Sequence, residues 1–242
     1  MPQLESADRD TLLFTVATNG YDEIFKDCLD SHQAYADSQG YKYIAFTKSP
    51  PGGISGCNSS WAKVAIILRA LEKGYKNIFF IDGDALILDY TPPIDTLFRD
   101  DKFVYMSREG SGKFNAGVII VVNDRQSVKF FQQLLLRADI PNAMLPKSDR
   151  NLFENGHVIN LAKNSPIVET INPKWNYNST TILLNPDDKE YVSHGRGTWA
   201  KKPRATEKPI SAFQSLLLRI GQGPRYFLLD RILKFYEREY QF

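Results

Sequence analysis

The chain has 242 residues, 43% of them hydrophobic and 24% charged, with a formal net charge of +2. That size buries a substantial core as one large α/β domain or two small ones, and a near-neutral chain without basic runs excludes an electrostatic nucleic-acid binder. Cys28 and Cys57 stand in neither metal nor disulfide spacing, the segment 2–10 is polar, and no apolar run is long enough to cross a bilayer, which excludes a disulfide framework and leads us to expect a cytoplasmic chain without a signal peptide.

Taken in order, residues 12–17 form a continuous apolar run and read as a buried strand. The polar turn Thr18-Asn19-Gly20-Tyr21 follows, then a helix over 22–39 with Phe25, Cys28, Leu29, His32 and Ala36 as its inward stripe and Gly40 as its cap. Residues 41–46 are a second strand. Strand–helix–strand opens a doubly wound α/β sheet, whose ligands bind at the carboxyl ends of strands. Thr18 to Tyr21 therefore belong at the cleft. After the loop 50–58, Ser59 or Ser60 is expected to cap a helix running to about Lys73, with Gly74 as its stop. Lys63 then falls in the first turn, where the macrodipole disfavours a cation. It reads either as a solvated lysine or as one aimed at an anion.

Residues 77–88, Asn-Ile-Phe-Phe-Ile-Asp-Gly-Asp-Ala-Leu-Ile-Leu, are the centre of the pattern. A short apolar run buried on both faces ends in two carboxylates around one glycine. In extended chain, residues i and i+2 point to one side about 6–7 Å apart, so Asp82 and Asp84 can reach one hard cation. Gly83 lets a bulky anion approach the backbone. Ordinary turn residues at a strand's exposed end would look the same.

Downstream come a short turn or helix over 91–98, a strand at 103–106 and a flexible link at 110–112. Phe114-Asn115-Ala116-Gly117 leads into a strand at 118–122. Asp124 is an expected N-cap for a helix to about Ala138, and a further helix from near Asp149 to Asn164 holds Glu154, Asn155, His157 and Asn160. A strand at 167–171, an aromatic loop at 175–178 and a last strand at 191–194 precede the basic, glycine-bearing segment 194–203. Helices are expected over 210–220 and 224–240. The aromatic and basic residues of the last helix suit either core packing or a peripheral membrane contact; its acidic residues favour packing. His32 and His157, each on a helix, read as structural.

Several of these stretches, in order, resemble the retaining GT-A glycosyltransferases, above all the galactosyl/xylosyl/mannosyl-transferase and glycogenin-like families. Ser60-Trp61-Ala62-Lys63 with Phe80-Ile81-Asp82-Gly83-Asp84 is similar to the first group's Trp-x-Lys helix and DxD strand. Thr18-Asn19-Gly20-Tyr21 looks like the second group's nucleotide-binding turn, and Phe114-Asn115-Ala116-Gly117 like its FNxG segment. Glu154-Asn155 with Asn160 resembles the catalytic-region helix, although Asn155 stands where those families usually have glutamine. His194-x-x-Gly197 resembles the H-x-x-G-x-x-K-P segment, with the lysine arriving later, as Lys201 or Lys202.

Over residues 12–203 the resemblance implies one GT-A domain: a Rossmann-like, mixed but mostly parallel sheet flanked by helices, with 205–242 as a helical C-terminal extension. It implies a nucleotide-sugar donor, UDP-linked, a glycan or other hydroxyl acceptor, and Mn²⁺ or Mg²⁺ held by Asp82, Asp84 and His194. It places Ala17, Thr18, Asn19 and Tyr21 on the nucleotide, and Gly83, Gly117, Gly197, Lys201 and Lys202 around the diphosphate. Lys63, Asn115, Glu154 and Asn155 would line the sugar. A lumenal catalytic domain cut from a membrane-anchored parent is the alternative to a cytoplasmic enzyme.

Two rivals remain at this point. A haloacid-dehalogenase-type phosphatase also starts with an apolar strand ending in Asp-x-Asp, but its nucleophile lies early in the chain, whereas here residues 1–81 precede the pair. A non-catalytic nucleotide-sugar or glycan binder on the same fold would bind donor without turning it over.

Overall fold

The apolar runs do form strands: β1 (Thr11–Val16), β2 (Lys42–Phe46), β3 (Asn77–Ile81), β4 (Ala85–Ile87), β5 (Val104–Ser107), β6 (Val118–Val122), β7 (Val168–Ile171) and β8 (Val192–His194). The helices are α1 (Tyr21–Ile24), α2 (Lys26–Gln39), α3 (Gly56–Glu72), α4 (Arg125–Leu135), α5 (Asn155–Ala162) and α6 (Arg225–Tyr240). The structure is a computed structural model that describes residues 10–178, 189–194 and 225–242. The expected helix over 210–220 lies outside the described residues.

Six strands make one sheet in the order β2-β1-β3-β6-β5-β7, in which only β6 runs against its neighbours. Side chains alternate across it with period two. Phe14, Phe80 and Ile119 enter the core under α3, α4, α5 and α6, whereas Leu13, Phe79 and Ile120 enter the opposite one, beside Tyr35, Ala36 and Trp175. The mixed, mostly parallel sheet flanked by helices is the architecture the sequence implied.

Four local expectations are corrected. The helix over 22–39 is broken at Phe25, whose φ of −107° and ψ of 29° separate α1 from α2. Helix α3 begins earlier than Ser59: Ser55 Oγ accepts from the Asn58 N–H at 3.3 Å, so Lys63 falls mid-helix and not in the first turn. Helix α5 begins only at Asn155, because the Asp149 carboxylate is bound to Asn160 and Lys163 and not to a helix N-terminus. The aspartate pair does not lie in extended chain. After β3 the chain turns at Asp82, and β4 leaves to pair with β8 in a separate two-stranded sheet.

Candidate active site

The turn between β3 and β4 holds both aspartates in place. The Asp82 N–H donates to the Gly117 carbonyl at 2.8 Å, and the Ala85 N–H donates to the Asp82 carbonyl at 3.1 Å. The register of the small sheet sets Ala85 opposite His194, which brings the imidazole beside the carboxylates. His194 Nε2 lies 3.2 Å from Asp84 Oδ1 and 3.5 Å from Asp82 Oδ2. One ligand atom from each of the three residues lies within 4.8 Å of the others. The His194 ring rests on Gly117, where a Cβ would stand 2.2 Å from the ring's Cε1; no other residue type leaves room for it.

Burial alone would lower the His194 pKa and raise that of Asp84. The hydrogen bond and charge between them outweigh burial, so the imidazole is raised and the carboxyl lowered. The cluster thus favours positive charge between two carboxylates. Its donor chemistry and spacing fit one divalent cation at roughly 2.0–2.2 Å from each atom.

Lys63 is not a solvated lysine. Its ammonium is buried, 3.2 Å from Asp82 Oδ1, 2.9 Å from Glu154 Oε1 and 3.1 Å from the Ala116 carbonyl, over the Phe80 ring at 4.5 Å. Burial would lower its pKa, but Asp82 and Glu154 outweigh that and raise it. Glu154 is raised, chiefly by its burial, with Lys63 opposing. An ammonium has three donors, and these three acceptors occupy them all. The anion that Lys63 meets is the protein's own.

A cavity of about 440 Å³ opens over the cluster, and Thr18, Asn19, Tyr21, Asn115, Glu154 and Asn155 line it together with the two aspartates, Gly83, Gly117, Lys63 and His194. Tyr21 is 53% exposed, with its ring tilted against that of Phe25 at 5.4 Å. Asn19 has φ 61° and holds its loop, donating to the Ile54 carbonyl and accepting from Ser49. Asn155 Oδ1 accepts from the Ala116 N–H at 3.1 Å. Ala17 alone of the described nucleotide candidates stays out of the cavity, fully buried, with its Cβ 3.2 Å from where a Cβ on Gly83 would be. Gly197, Lys201 and Lys202 lie outside the described residues. His32 is structural as expected: its Nε2–H donates to the Ala85 carbonyl at 2.6 Å, and burial lowers its pKa to about 4, so it is neutral near pH 7. His157 is buried against Trp61.

Residues 8–102 match the sequence model of the galactosyl transferase GMA12/MNN10 family, the segment carrying β1, α3 and the aspartate pair. Among solved structures, the chain is similar to a glycosyltransferase involved in the glycosylation of the major capsid of PBCV-1. That match has a TM-score of 0.55 at 15% identity, over 78% of this chain and 93% of the other. The chain has the GT-A glycosyltransferase fold. This GT-A chain is also similar to the glycosyltransferase GlyE of Streptococcus pneumoniae TIGR4, with a TM-score of 0.51 at 11% identity over 92% of this chain and 63% of that one. A galactosyltransferase, LgtC, in complex with donor and acceptor sugar analogs gives 0.50 at 14% identity, over 76% and 86%. A search of curated proteins gives no significant match. The GT-A fold takes the place of the dehalogenase-type reading.

Asn176 of the GT-A chain was missed as a site residue. It is buried at 1% exposure and touches both Asn115 and His194, yet in sequence it is one polar residue of an aromatic loop. Phe153, which lines the cavity with φ 49°, carried no sequence signal either.

Proposed function

We propose that this chain is a metal-dependent glycosyltransferase that moves a sugar from a UDP-linked donor to a hydroxyl of a glycan acceptor, with retention at the anomeric carbon. The convergence of Asp82, Asp84 and His194 beneath a cavity that the Thr18–Tyr21 turn also lines is the observation that carries this reading. A cation bound there supplies Lewis-acid neutralisation of the diphosphate as it leaves. The chain's own residues do the rest. Asp82, Asp84 and His194 hold the cation, and the exposed Tyr21 ring stacks on the base. Gly83 and Gly117 line the cavity beside the cluster, and the missing Cβ of Gly117 is what leaves room for the His194 ring.

Lys63 acts indirectly, fixing the Asp82 and Glu154 carboxylates from below. Glu154, at the cavity wall, faces the growing positive charge of an oxocarbenium-like sugar, and the Asn115 and Asn155 amides position its hydroxyls. Gly197 with Lys201 or Lys202 would complete the diphosphate contact. No described side chain is assigned as a base, in keeping with retention.

The test is a panel of UDP- and GDP-sugars with Mn²⁺, scoring release of nucleoside diphosphate. We expect turnover with a UDP-sugar, and loss of both turnover and metal-dependent UDP binding in Asp84→Ala at an unchanged melting temperature. Full activity in EDTA, or wild-type turnover by that variant, would overturn the metal role. Donor binding by calorimetry without any turnover would assign a binding module.

A further inference from the structure

Each ring nitrogen of a histidine can carry the proton, and only the one without it can bind a metal. Which nitrogen of His194 is free is decided by a chain of hydrogen bonds that starts on the backbone. The Gly117 N–H, which can only donate, meets Asn115 Oδ1 at 2.8 Å. That fixes the Asn115 amide with its oxygen inward. The same oxygen lies 3.1 Å from the Asn176 side chain, so the atom Asn176 presents must be its Nδ2 donor. The other end of that amide, Oδ1, is then turned to His194 Nδ1 at 2.8 Å. Facing an acceptor, Nδ1 must carry a proton, and Nε2 is left to face Asp82 and Asp84.

We infer that Asn176 is a positioning residue: through Asn115 it transmits the polarity of the Gly117 N–H to His194, holding Nδ1 protonated and presenting Nε2 as the metal ligand. The fold supports this placement. Asn176 closes the 3₁₀ turn Pro173–Asn176, whose N-cap Asn172 accepts from the Lys174 N–H at 3.0 Å and whose Trp175 is buried. The next residue joins β8: the Tyr177 N–H donates to the Val192 carbonyl at 2.8 Å, and the His194 N–H to the Tyr177 carbonyl at 2.6 Å. Asn176 and His194 are therefore locked at a fixed separation by backbone on either side. The inference rests on the metal reading above for its purpose, but the hydrogen-bond chain stands without it.

The experiment compares wild type, Asn176→Leu and Asn176→Asp, with chemical denaturation confirming that each is folded. Leucine has no acceptor, whereas a carboxylate still accepts from Nδ1–H. Calorimetric titration of Mn²⁺ in the presence of UDP should show affinity about 10–100-fold weaker for Asn176→Leu, the usual loss when a ligand histidine's outer partner is removed. Asn176→Asp keeps the acceptor toward Nδ1 but sets an oxygen without a hydrogen against Asn115 Oδ1, so its affinity should fall between those of the leucine variant and wild type. In the ¹H–¹⁵N spectrum of metal-free protein, assigned against His194→Gln, an exchange-protected His194 Nδ1–H should appear in wild type and in Asn176→Asp and vanish in Asn176→Leu. Unweakened Mn²⁺ binding by the leucine variant, equal loss in the aspartate variant, or a wild-type spectrum without that protected proton would each overturn the inference. Wild type that shows the protected proton but binds no Mn²⁺ would retain the hydrogen-bond chain and sink the metal reading instead.

Discussion

At the scale of single residues, Lys63 shows how far burial changes a side chain's meaning. Its side chain is 6% exposed and that of Glu154 5%, so neither charge has water to fall back on. Breaking a buried pair by removing one partner is strongly destabilising, because the other charge is left without compensation. Lys63→Met should therefore lower unfolding stability by about 3–5 kcal/mol, measured by urea denaturation at neutral pH. Adding Glu154→Gln should recover a large part of the loss, since the two residues are coupled and their effects do not add. Equal and additive losses would show that the pair is not a unit. The aspartates were legible because the types that bind hard cations are few and the spacing of these two is local; His194, far along the chain, was legible only through the resemblance of its segment. Lys63 was legible only as a choice between solvent and an anion, since its partners, Asp82 and Glu154, belong to other elements.

At the scale of elements, the loop before α5 is held by one carboxylate. Asp149, with a 3% exposed side chain, accepts from Lys163 Nζ and Asn160 Nδ2, each at 2.6 Å. Those hydrogen bonds lower its pKa to about 2, against about 3.9 in an unfolded chain. A carboxyl with a depressed folded pKa contributes stability that is fully present above the unfolded value and is lost as pH falls toward the folded one. Between about pH 5 and pH 2 the protein should therefore lose about 2 kcal/mol from this group alone. Asp149→Asn should be less stable at pH 7 and show a flatter stability profile over that window, by denaturation at pH 7, 4 and 3. An unchanged profile would remove Asp149 as the clasp. The same residue explains a displaced boundary: Asp149 looked like the start of a helix, but its acceptors are taken by Asn160 inside α5 and by Lys163 at its C-terminal end. At α3 the serines were ambiguous in sequence. Ser59 and Ser60 both suited a cap, but the cap is Ser55, whose Oγ accepts from the Asn58 N–H.

At the scale of the molecule, α6 closes the core from the far end of the chain. Leu229, Ile232, Leu233 and Tyr236 are buried in the cluster that also holds α3 and the sheet, and Phe46 packs on Tyr236, Tyr240 and Phe242 with ring centroids 4.8, 4.9 and 5.4 Å apart. The Tyr240 hydroxyl accepts from the Thr47 and Lys48 N–H groups, both at 2.8 Å. The Tyr236 hydroxyl is buried without a hydrogen-bond partner among the described residues. A buried donor left unmade is costly, whereas removing it can be neutral or favourable. Tyr236→Phe should leave stability equal or slightly higher, and Tyr236→Ala should cost about 3–5 kcal/mol through the lost ring, both read from urea midpoints. A clear loss in Tyr236→Phe would reveal a partner for the hydroxyl. Of the aromatic residues that suited either packing or a membrane surface, Tyr236 is in the core and Phe235 packs against it, whereas Phe227 is 63% exposed.

The sequence by itself determined most of the strands and helices and the acidic pair at the tip of β3, because period and composition act over a few residues and water sorts apolar from polar wherever the chain goes. It also determined the GT-A architecture by the order of its motifs. Only the tertiary structure decided that β4 leaves the main sheet to pair with β8, that Ala85 therefore faces His194, and that Asn115 and Asn176 hand the polarity of a backbone N–H to that ring. Register and hydrogen-bond direction are set by which groups meet after the chain has closed, and residues that meet this way leave no periodic trace along it.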